Sequence, residues 1–357
     1  VGSQYSTDTQ EDLVLVKFDS SLEQEKKTYY AGEGLDSLYN NNANDIQQTK
    51  DGGYVAVGNT FNGSNYDVLV VKFSPLLTLA WQDTIKGTYD DFGNSIQETE
   101  TGYIICGTSY DGNDEDIMLW EITVTDDGST ITPSYTTIYD AEAITDNGTN
   151  ESGNYALQTA MDRGYIILGT SAAGLQVTKL NADGTADTNF GTNGVLTVGS
   201  AGDKGEFIQQ LTDYSYIVAG KTEGGSGAQS QVYLNTISQA GVSVLTRTLG
   251  GSYNDGVKSI IETHGDGGFV FTGHKYNEQT KDDIWIVKLS TTLTTEWDRI
   301  YGGNYNDNGA SIKLTDDGGY IITGSTMSYG NQSEIILLKI AAGGCVRDST
   351  EIITCGL

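Results

Sequence analysis

Internal repetition limits what this chain can fold into more than any other feature. Asp51-Gly52-Gly53-Tyr54 returns as Asp266-Gly267-Gly268-Phe269 and as Asp317-Gly318-Gly319-Tyr320. Looser copies are Thr101-Gly102-Tyr103, Arg163-Gly164-Tyr165 and Tyr214-Ser215-Tyr216. The aromatic positions 54, 103, 165, 216, 269 and 320 lie 49, 62, 51, 53 and 51 residues apart. A period of ~50 residues means one supersecondary unit, copied, whose apolar faces are buried only against neighbouring copies. This outweighs the prior from length, which for 357 residues suggests roughly two domains.

Each unit reads as four short strands, A to D. Strand A is a segment such as Ser95–Thr99, Ser259–Thr263 or Ser311–Thr315. A tight Asp-Gly-Gly turn follows, because glycine supplies the positive φ that hairpin turns demand. Strand B runs from the repeated aromatic to a glycine, as in Tyr54–Gly58 and Tyr320–Gly324. Strand C is the most apolar: Val68–Phe73, Ile284–Leu289, Ile335–Ile340. Strand D carries Trp81–Ile85, Val244–Leu249 and Trp297–Tyr301. Strands B and C are apolar on both faces, as happens when sheets stack face to face. The expected fold is therefore all-β: a β-propeller of seven four-stranded blades, the first incomplete, with strand A innermost and blade boundaries near 44, 93, 153, 205, 257 and 309. Residues 1–357 form one domain in this reading. Val1-Gly2 aligns with Val57-Gly58, so the sequence opens inside a blade. Either the array continues upstream, or another chain donates the missing strands, as in donor-strand assembly of a filament or surface layer.

The repeats resemble a family of secreted propeller proteins whose blades carry Asp-Gly-Gly-Tyr turns, a strand ending in Lys, and Trp followed by Tyr-Gly-Gly. The match here is Trp297-Asp298-Arg299-Ile300-Tyr301-Gly302-Gly303 with Asp317–Tyr320. Leu180–Gly184 through Asp187, Phe190-Gly191 and Asn193–Val195 resembles the delta-60 repeat of similar surface proteins. The resemblance implies a fold and a secreted location; it does not single out an activity, since propellers host many. Lys17, Lys72, Lys179, Lys288 and Lys339 share one position of strand C, with Glu121 and Asn235 in the two other units. A residue repeated in nearly every unit reads as structural, here as a bridge to carbonyls or to an Asp of a neighbouring blade. The recurrent Asp before strand C (Asp12, Asp67, Asp116, Asp283) has the same status.

The B–C and D–A loops carry the functional expectation. They fall on one face around a channel mouth and are rich in Tyr, Asn, Asp and Gly. The ligand-binding candidates are Tyr89, Asp90 and Asp91, Tyr253, Asn254 and Asp255, and Tyr305, Asn306 and Asp307. Tyr rings stack on sugars and carboxylates accept from hydroxyls, so carbohydrate or protein at the cell surface is the expected partner. The plain alternative is turn chemistry and solubility. No cofactor is expected, with Ca²⁺ as the possible exception: Asp111, Asp114 and Asp116 superficially resemble a calcium loop but lack its Gly and Glu positions.

With a net charge of −29, nucleic acid and anionic membrane are disfavoured as partners. No apolar run approaches the ~20 residues of a membrane helix. His264 and His274 belong to opposite ends of one strand, and no His-Glu-x-x-His, Gly-x-Ser-x-Gly or phosphate loop is present. Cys106 reads as a buried apolar residue, whereas Cys345 and Cys355 frame the C-terminal strand and are expected to pin residues 341–357 by a disulfide, in an oxidising compartment. Four glycosylation sequons, at Asn62, Asn147, Asn150 and Asn331, fall in the longer loops. The sequence thus reads as an extracellular or cell-surface binding, adhesion or structural propeller. The alternatives are a secreted polysaccharide-active enzyme using the same loops, and a filament subunit completed by strand donation.

Overall fold

The computed structural model describes residues 2–5, 11–30, 40–126, 131–140, 150–223, 229–329, 333–345 and 352–356. These residues form strands and turns, with no helix among them. The first sheet has three strands: β1 (Gly2–Tyr5), β2 (Glu11–Phe18) and β3 (Gln24–Tyr30). The second is β4 (Asn41–Gln48), β5 (Tyr54–Phe61), β6 (Tyr66–Phe73) and β7 (Leu79–Ile85). The third is β8 (Asp91–Glu98), β9 (Gly102–Tyr110), β10 (Glu115–Asp126) and β11 (Ile131–Asp140). The fourth is β12 (Ser152–Gln158), β13 (Tyr165–Ser171), β14 (Gly174–Leu180) and β15 (Val195–Val198). The fifth is β16 (Lys204–Gln210), β17 (Tyr216–Thr222), β18 (Gln231–Ile237) and β19 (Ser243–Leu249). The sixth is β20 (Asp255–Glu262), β21 (Phe269–Asn277), β22 (Lys281–Leu289) and β23 (Thr295–Tyr301). The seventh is β24 (Asp307–Leu314), β25 (Tyr320–Thr326), β26 (Glu334–Ile340) and β27 (Ile352–Gly356). The chain is an all-β protein of the β-propeller class. Six of its blades have four strands; the first has three, equivalent to B, C and D.

Two compact units are built from these sheets: Val1–Ala172 with Val177–Asp187, and Ala173–Gln176 with Thr188–Leu357. In the first unit, Leu13, Leu15, Tyr30, Leu69, Val71 and Phe73 are buried between the first and second sheets. Val57, Val70, Trp81, Ile105 and Trp120 fill the space between the second and third. In the second unit, Ile217, Leu234, Phe271, Trp285 and Val287 pack the fifth sheet on the sixth, and Ile286, Ile312, Ile322 and Leu338 pack the sixth on the seventh. Both faces of strands B and C are buried, which is why their sequences do not alternate.

Each described strand A carries one extra residue. The register of β8 on β9 slips between Gly93 and Ser95, and the same slip falls between Ala43 and Asp45, Gly153 and Tyr155, Gly205 and Phe207, Val257 and Ser259, and Gly309 and Ser311. Such a bulge bends the strand and turns a carbonyl toward its partner. The carbonyl lands where a side chain of strand B would stand. A Cβ on Gly58 would lie 1.8 Å from Asn42 O, and on Gly273 2.0 Å from Gly256 O. The repeated glycine of strand B is thus a consequence of the bulge in strand A.

The recurrent lysine bridges to a carbonyl, as expected from sequence (Lys72 to Phe73 O, Lys179 to Leu180 O, Lys288 to Leu289 O), but its Asp belongs to its own sheet and not to a neighbouring blade. Lys72 Nζ lies 2.9 Å from Asp51, Lys179 Nζ 2.6 Å from Asp162, Lys288 Nζ 2.8 Å from Asp266 and Lys339 Nζ 3.1 Å from Asp317. Each Asp sits in the A–B turn of the same sheet. There it also accepts from a threonine hydroxyl and a glycine N–H, as Asp266 does from Thr263 (2.5 Å) and Gly268 (3.0 Å). Strand C runs antiparallel to B, so its Lys end returns to the A–B turn.

The expected Cys345–Cys355 disulfide is not formed: Cys345 is a free, exposed thiol. The strand register explains this. Ala341 N donates to Cys345 O in the turn after β26, whereas Cys355 is paired with Ile335, near the other end of that strand. Six residues of strand separate the two ends, ~20 Å at 3.4 Å per residue, far beyond the ~7 Å a disulfide tolerates between Cα atoms.

Candidate ligand-binding cleft

The D–A loops expected to bind ligand are first of all clasps. In the loop before β20, Asp255 Oδ2 accepts from Gly251 N at 2.6 Å and Oδ1 from Tyr276 N at 3.0 Å. In the loop before β24, Asp307 accepts from Gly303 N at 2.9 Å, Ser328 Oγ at 2.7 Å and the Thr326 hydroxyl. Asp91, Asp255 and Asp307 are all buried. Burial pushes the Asp91 carboxyl above its ordinary range, against a hydrogen bond from Ser109 that lowers it; neighbouring Asp67 and Asp90 add to the rise.

The middle position of each loop ties it to the preceding B–C loop. Asp90 Oδ1 accepts from Tyr66 N at 2.8 Å, Asn254 Oδ1 from Ser230 N at 2.9 Å and Asn306 Oδ1 from Asp282 N at 3.4 Å. What these loops offer outward is their tyrosines: Tyr89, Tyr253 and Tyr305 are exposed.

One of the three stands in a cleft of about 340 Å³, lined by Tyr253, Lys275, Tyr276, Asn277, Glu278, Gln279, Asp283 and Ile300. Strands β21 and β22 are two residues longer than the equivalent strands of the fifth and seventh sheets, and so carry their connecting turn outward. Asn277 Oδ1 accepts from Gln279 N at 2.9 Å, and Lys281 takes a left-handed φ of 68° to re-enter the strand. The Tyr253 and Tyr276 rings meet at 5.3 Å between centroids, tilted by 48°. Tyr253 OH donates to Glu278 Oε1 at 2.5 Å, and this bond raises the phenol's pKa. Lys281 Nζ stands 6.0 Å over the Tyr276 ring. Lys275 Nζ lies 4.5 Å over the Trp285 ring and 4.0 Å from Asp298. The cleft thus joins two aromatic rings to two acidic side chains, two side-chain amides and one ammonium group, the combination with which a small polar ligand is stacked and hydrogen-bonded.

Tyr253 was legible from sequence; Tyr276, Glu278 and Asp283 were not singled out as ligand residues. A signal did exist. Phe61, Tyr110 and Tyr276 each follow the repeated aromatic of strand B by seven residues. Tyr110 meets Tyr89 edge-on at 5.4 Å, so the first unit repeats the ring pair of the second.

The remaining candidates are held locally. Asp111 accepts from Asn113 N (2.7 Å) and Asp114 N (3.1 Å), which hold its carboxyl below the ordinary range, while Asp114 and Asp116 are buried. Among the described residues, no group of three or more His, Cys, Asp or Glu is arranged to hold a metal ion. Asn62 spends its amide on Asn65 Oδ1 (2.7 Å) and Asp67 Oδ2 (3.0 Å), and Asn150 Oδ1 accepts from Glu115 N at 3.3 Å. Asn147 and Asn331 lie outside the described residues. No described helix is long and apolar enough to cross a membrane.

No protein-family profile matches the sequence, and no curated protein matches it. Solved structures do resemble the fold. A glucose dehydrogenase superposes with a TM-score of 0.57 at 8% identity, over 84% of this chain and 96% of that one. Sqt1 of Chaetomium thermophilum gives 0.50 at 10% identity, over 87% and 85%. A sialidase of Trypanosoma rangeli gives 0.47 at 12%, over 96% and 57%. Identities this low speak to the fold alone.

Proposed function

We propose that this chain is a carbohydrate-binding module that acts outside the cell or at its surface. The observation that carries the reading is the Tyr253–Tyr276 ring pair, with Glu278, Asn277 and Gln279 at its edge. Aromatic faces stack on the apolar faces of sugar rings, and the carboxylate and amides accept from and donate to ring hydroxyls. The strongly acidic composition and the likeness to secreted Asp-Gly-Gly-Tyr propellers support the location.

The test is a glycan array followed by titration of the best ligand. Tyr276→Ala should weaken binding about tenfold or more, the loss of ~1.4 kcal/mol of stacking, and Glu278→Gln should weaken it less. A preparation that binds no glycan overturns the reading. Reducing-sugar release from a polysaccharide moves it to the secreted-enzyme alternative.

A further inference from the structure

Where consecutive sheets meet, buried acids fall at paired positions in three places: Asp67 with Asp91, Asp116 with Glu151, and Asp283 with Asp307. Asp283 in β22 and Asp307 at the start of β24 are 5% and 0% exposed. A Cβ built on Gly302 would fall 2.0 Å from Asp283 Oδ1 and 2.7 Å from Asp307 Oδ2, so both oxygens crowd one point. Their hydrogen bonds are unequal. Asp307 accepts from Gly303, Thr326 and Ser328. Asp283 accepts from Thr280 at Oδ2 (2.5 Å), and its buried Oδ1 has no partner. The first unit buries two acids at the equivalent positions. Asp67 and Asp91 are 2% and 4% exposed; Asn62 donates to Asp67 Oδ2 at 3.0 Å, and Asp67 Oδ1 is buried without a partner.

No cation answers Asp283 with Asp307 or Asp67 with Asp91. Lys275, opposite Asp283 in register, is turned to Asp298 and the Trp285 ring. The other ionisable groups about Asp283 and Asp307 are Asp282, Glu278 and Tyr329, none of them cationic. Around Asp67 and Asp91 stands Asp90, while Lys86 lies beyond the end of β7, near Asp83. The equivalent positions elsewhere are Asp12 with Asn41, Gly174 with Asp203 and Gln231 with Asp255, each with a single acid, and Asp116 with Glu151.

We propose that Asp283 is a carboxylic acid in the native protein, donating its proton from Oδ1 to the Asp307 carboxylate, and that this inter-sheet contact forms a pH-sensitive latch. Two buried carboxylates at this spacing cannot both ionise without unrelieved repulsion. Burial, with Asp307 and Asp282 adding to it, raises the Asp283 carboxyl. The sign follows. A native carboxyl pKa above the unfolded value means that the native state binds more protons, so stability falls as pH rises from about 3.9 through the native value. The proton leaves to water, and the contact is left with two negative charges.

The test is thermal melting of the full chain between about pH 5 and pH 8. The wild-type midpoint should fall by ~1–2 °C, the shift of about 1 kcal/mol in a chain of this size. Asp283→Asn keeps the donor and removes the titration. It should melt at or above wild type at pH 8 with a shallower pH slope. Asp307→Asn faces three donors with an amide and should melt lower throughout. If Asp283→Asn is as destabilising as Asp307→Asn, or leaves the slope unchanged, the proposal fails. Infrared spectra in D₂O at pH 7 give a second reading: a protonated-carboxyl C=O band in wild type that is lost in Asp283→Asn. Absence of that band in wild type overturns the proposal. So does a slope abolished by Ca²⁺ and restored by a chelator, because the occupant would then be a cation.

Discussion

Replacing Lys288 by methionine isolates the clasp that closes each sheet. The Lys288 stem is buried, and Nζ reaches Leu289 O (3.1 Å), Asp266 (2.8 Å) and Glu296 (3.3 Å). Methionine keeps most of the stem's packing and removes the charge. Leu289 O then loses its lysine donor, and a buried acceptor left unpaired costs ~1–3 kcal/mol. The carboxylates lose less, because the side chains of Asp266 and Glu296 are 51% and 45% exposed and rehydrate. Burial alone would raise the Asp266 carboxyl, but the bonds from Lys288, Thr263 and Gly268 outweigh it and hold the pKa at about 2. A shift of nearly two units is nominally ~2.5 kcal/mol, and solvent screening at this exposure reduces it to about 1. The expected total is ~2 kcal/mol at pH 7, measured by denaturant unfolding. A depressed carboxyl pKa stabilises above the unfolded value and is lost as pH falls through the folded one. The gap between wild type and Lys288→Met should therefore narrow between about pH 4 and pH 2. A gap that stays constant over that window would show that the lysine acts by packing alone, and the ion-pair argument would fail.

Other outcomes follow from the same geometry. Gly267→Ala should cost ~1–2 kcal/mol through its φ of +64°. Gly268→Ala should cost more, since its Cβ would meet Leu289 O at 2.3 Å and Lys288 Nζ at 2.5 Å; equal melting points for the two variants would contradict this. In the native protein at pH 8, iodoacetamide should label Cys345 readily and leave Cys106 untouched, since burial pushes the Cys106 thiol far up; mass spectrometry of the labelled peptides decides it. Reductant should leave the melting temperature unchanged, and a drop would restore the case for a disulfide at the C-terminus.

Much of the fold was legible because its causes are local. Asp-Gly-Gly marks the A–B turn through backbone chemistry, and the doubly apolar strands B and C mark stacked sheets whatever their neighbours are. Pairing of distant residues was less accessible. The partner of Lys72 is Asp51, 21 positions earlier on the same sheet, and only the antiparallel register shows that strand C ends against that turn. Cys345 and Cys355 are ten positions apart in sequence but belong near opposite ends of β26, so proximity along the chain misled. Near the cleft, composition pointed to the D–A loops and did not show that their Asp side chains close the loops themselves. Asp255 and Asp307 follow Gly251 and Gly303 at a fixed four-residue spacing, the mark of a loop clasp. The cleft arises from the extra length of β21 and β22, which a reading centred on the shared repeat passes over.

The bulged inner strands have a consequence for how such a chain changes over time. Asn44 Nδ2 donates to Gly93 O at 2.8 Å, and Asn94 Nδ2 to Gly153 O at 2.7 Å. Gln47, Gln97 and Gln209 each accept a backbone N–H of the following inner strand, from Glu98, Gln158 and Glu262. In these bonds one blade supplies a side chain and the next supplies only its main chain. The receiving blade is recognised there by its backbone shape, so a substituted unit keeps these particular contacts whatever side chains stand at the receiving positions. Matching is still demanded by the apolar side chains packed between consecutive sheets and by pairs such as Lys258 with Glu206.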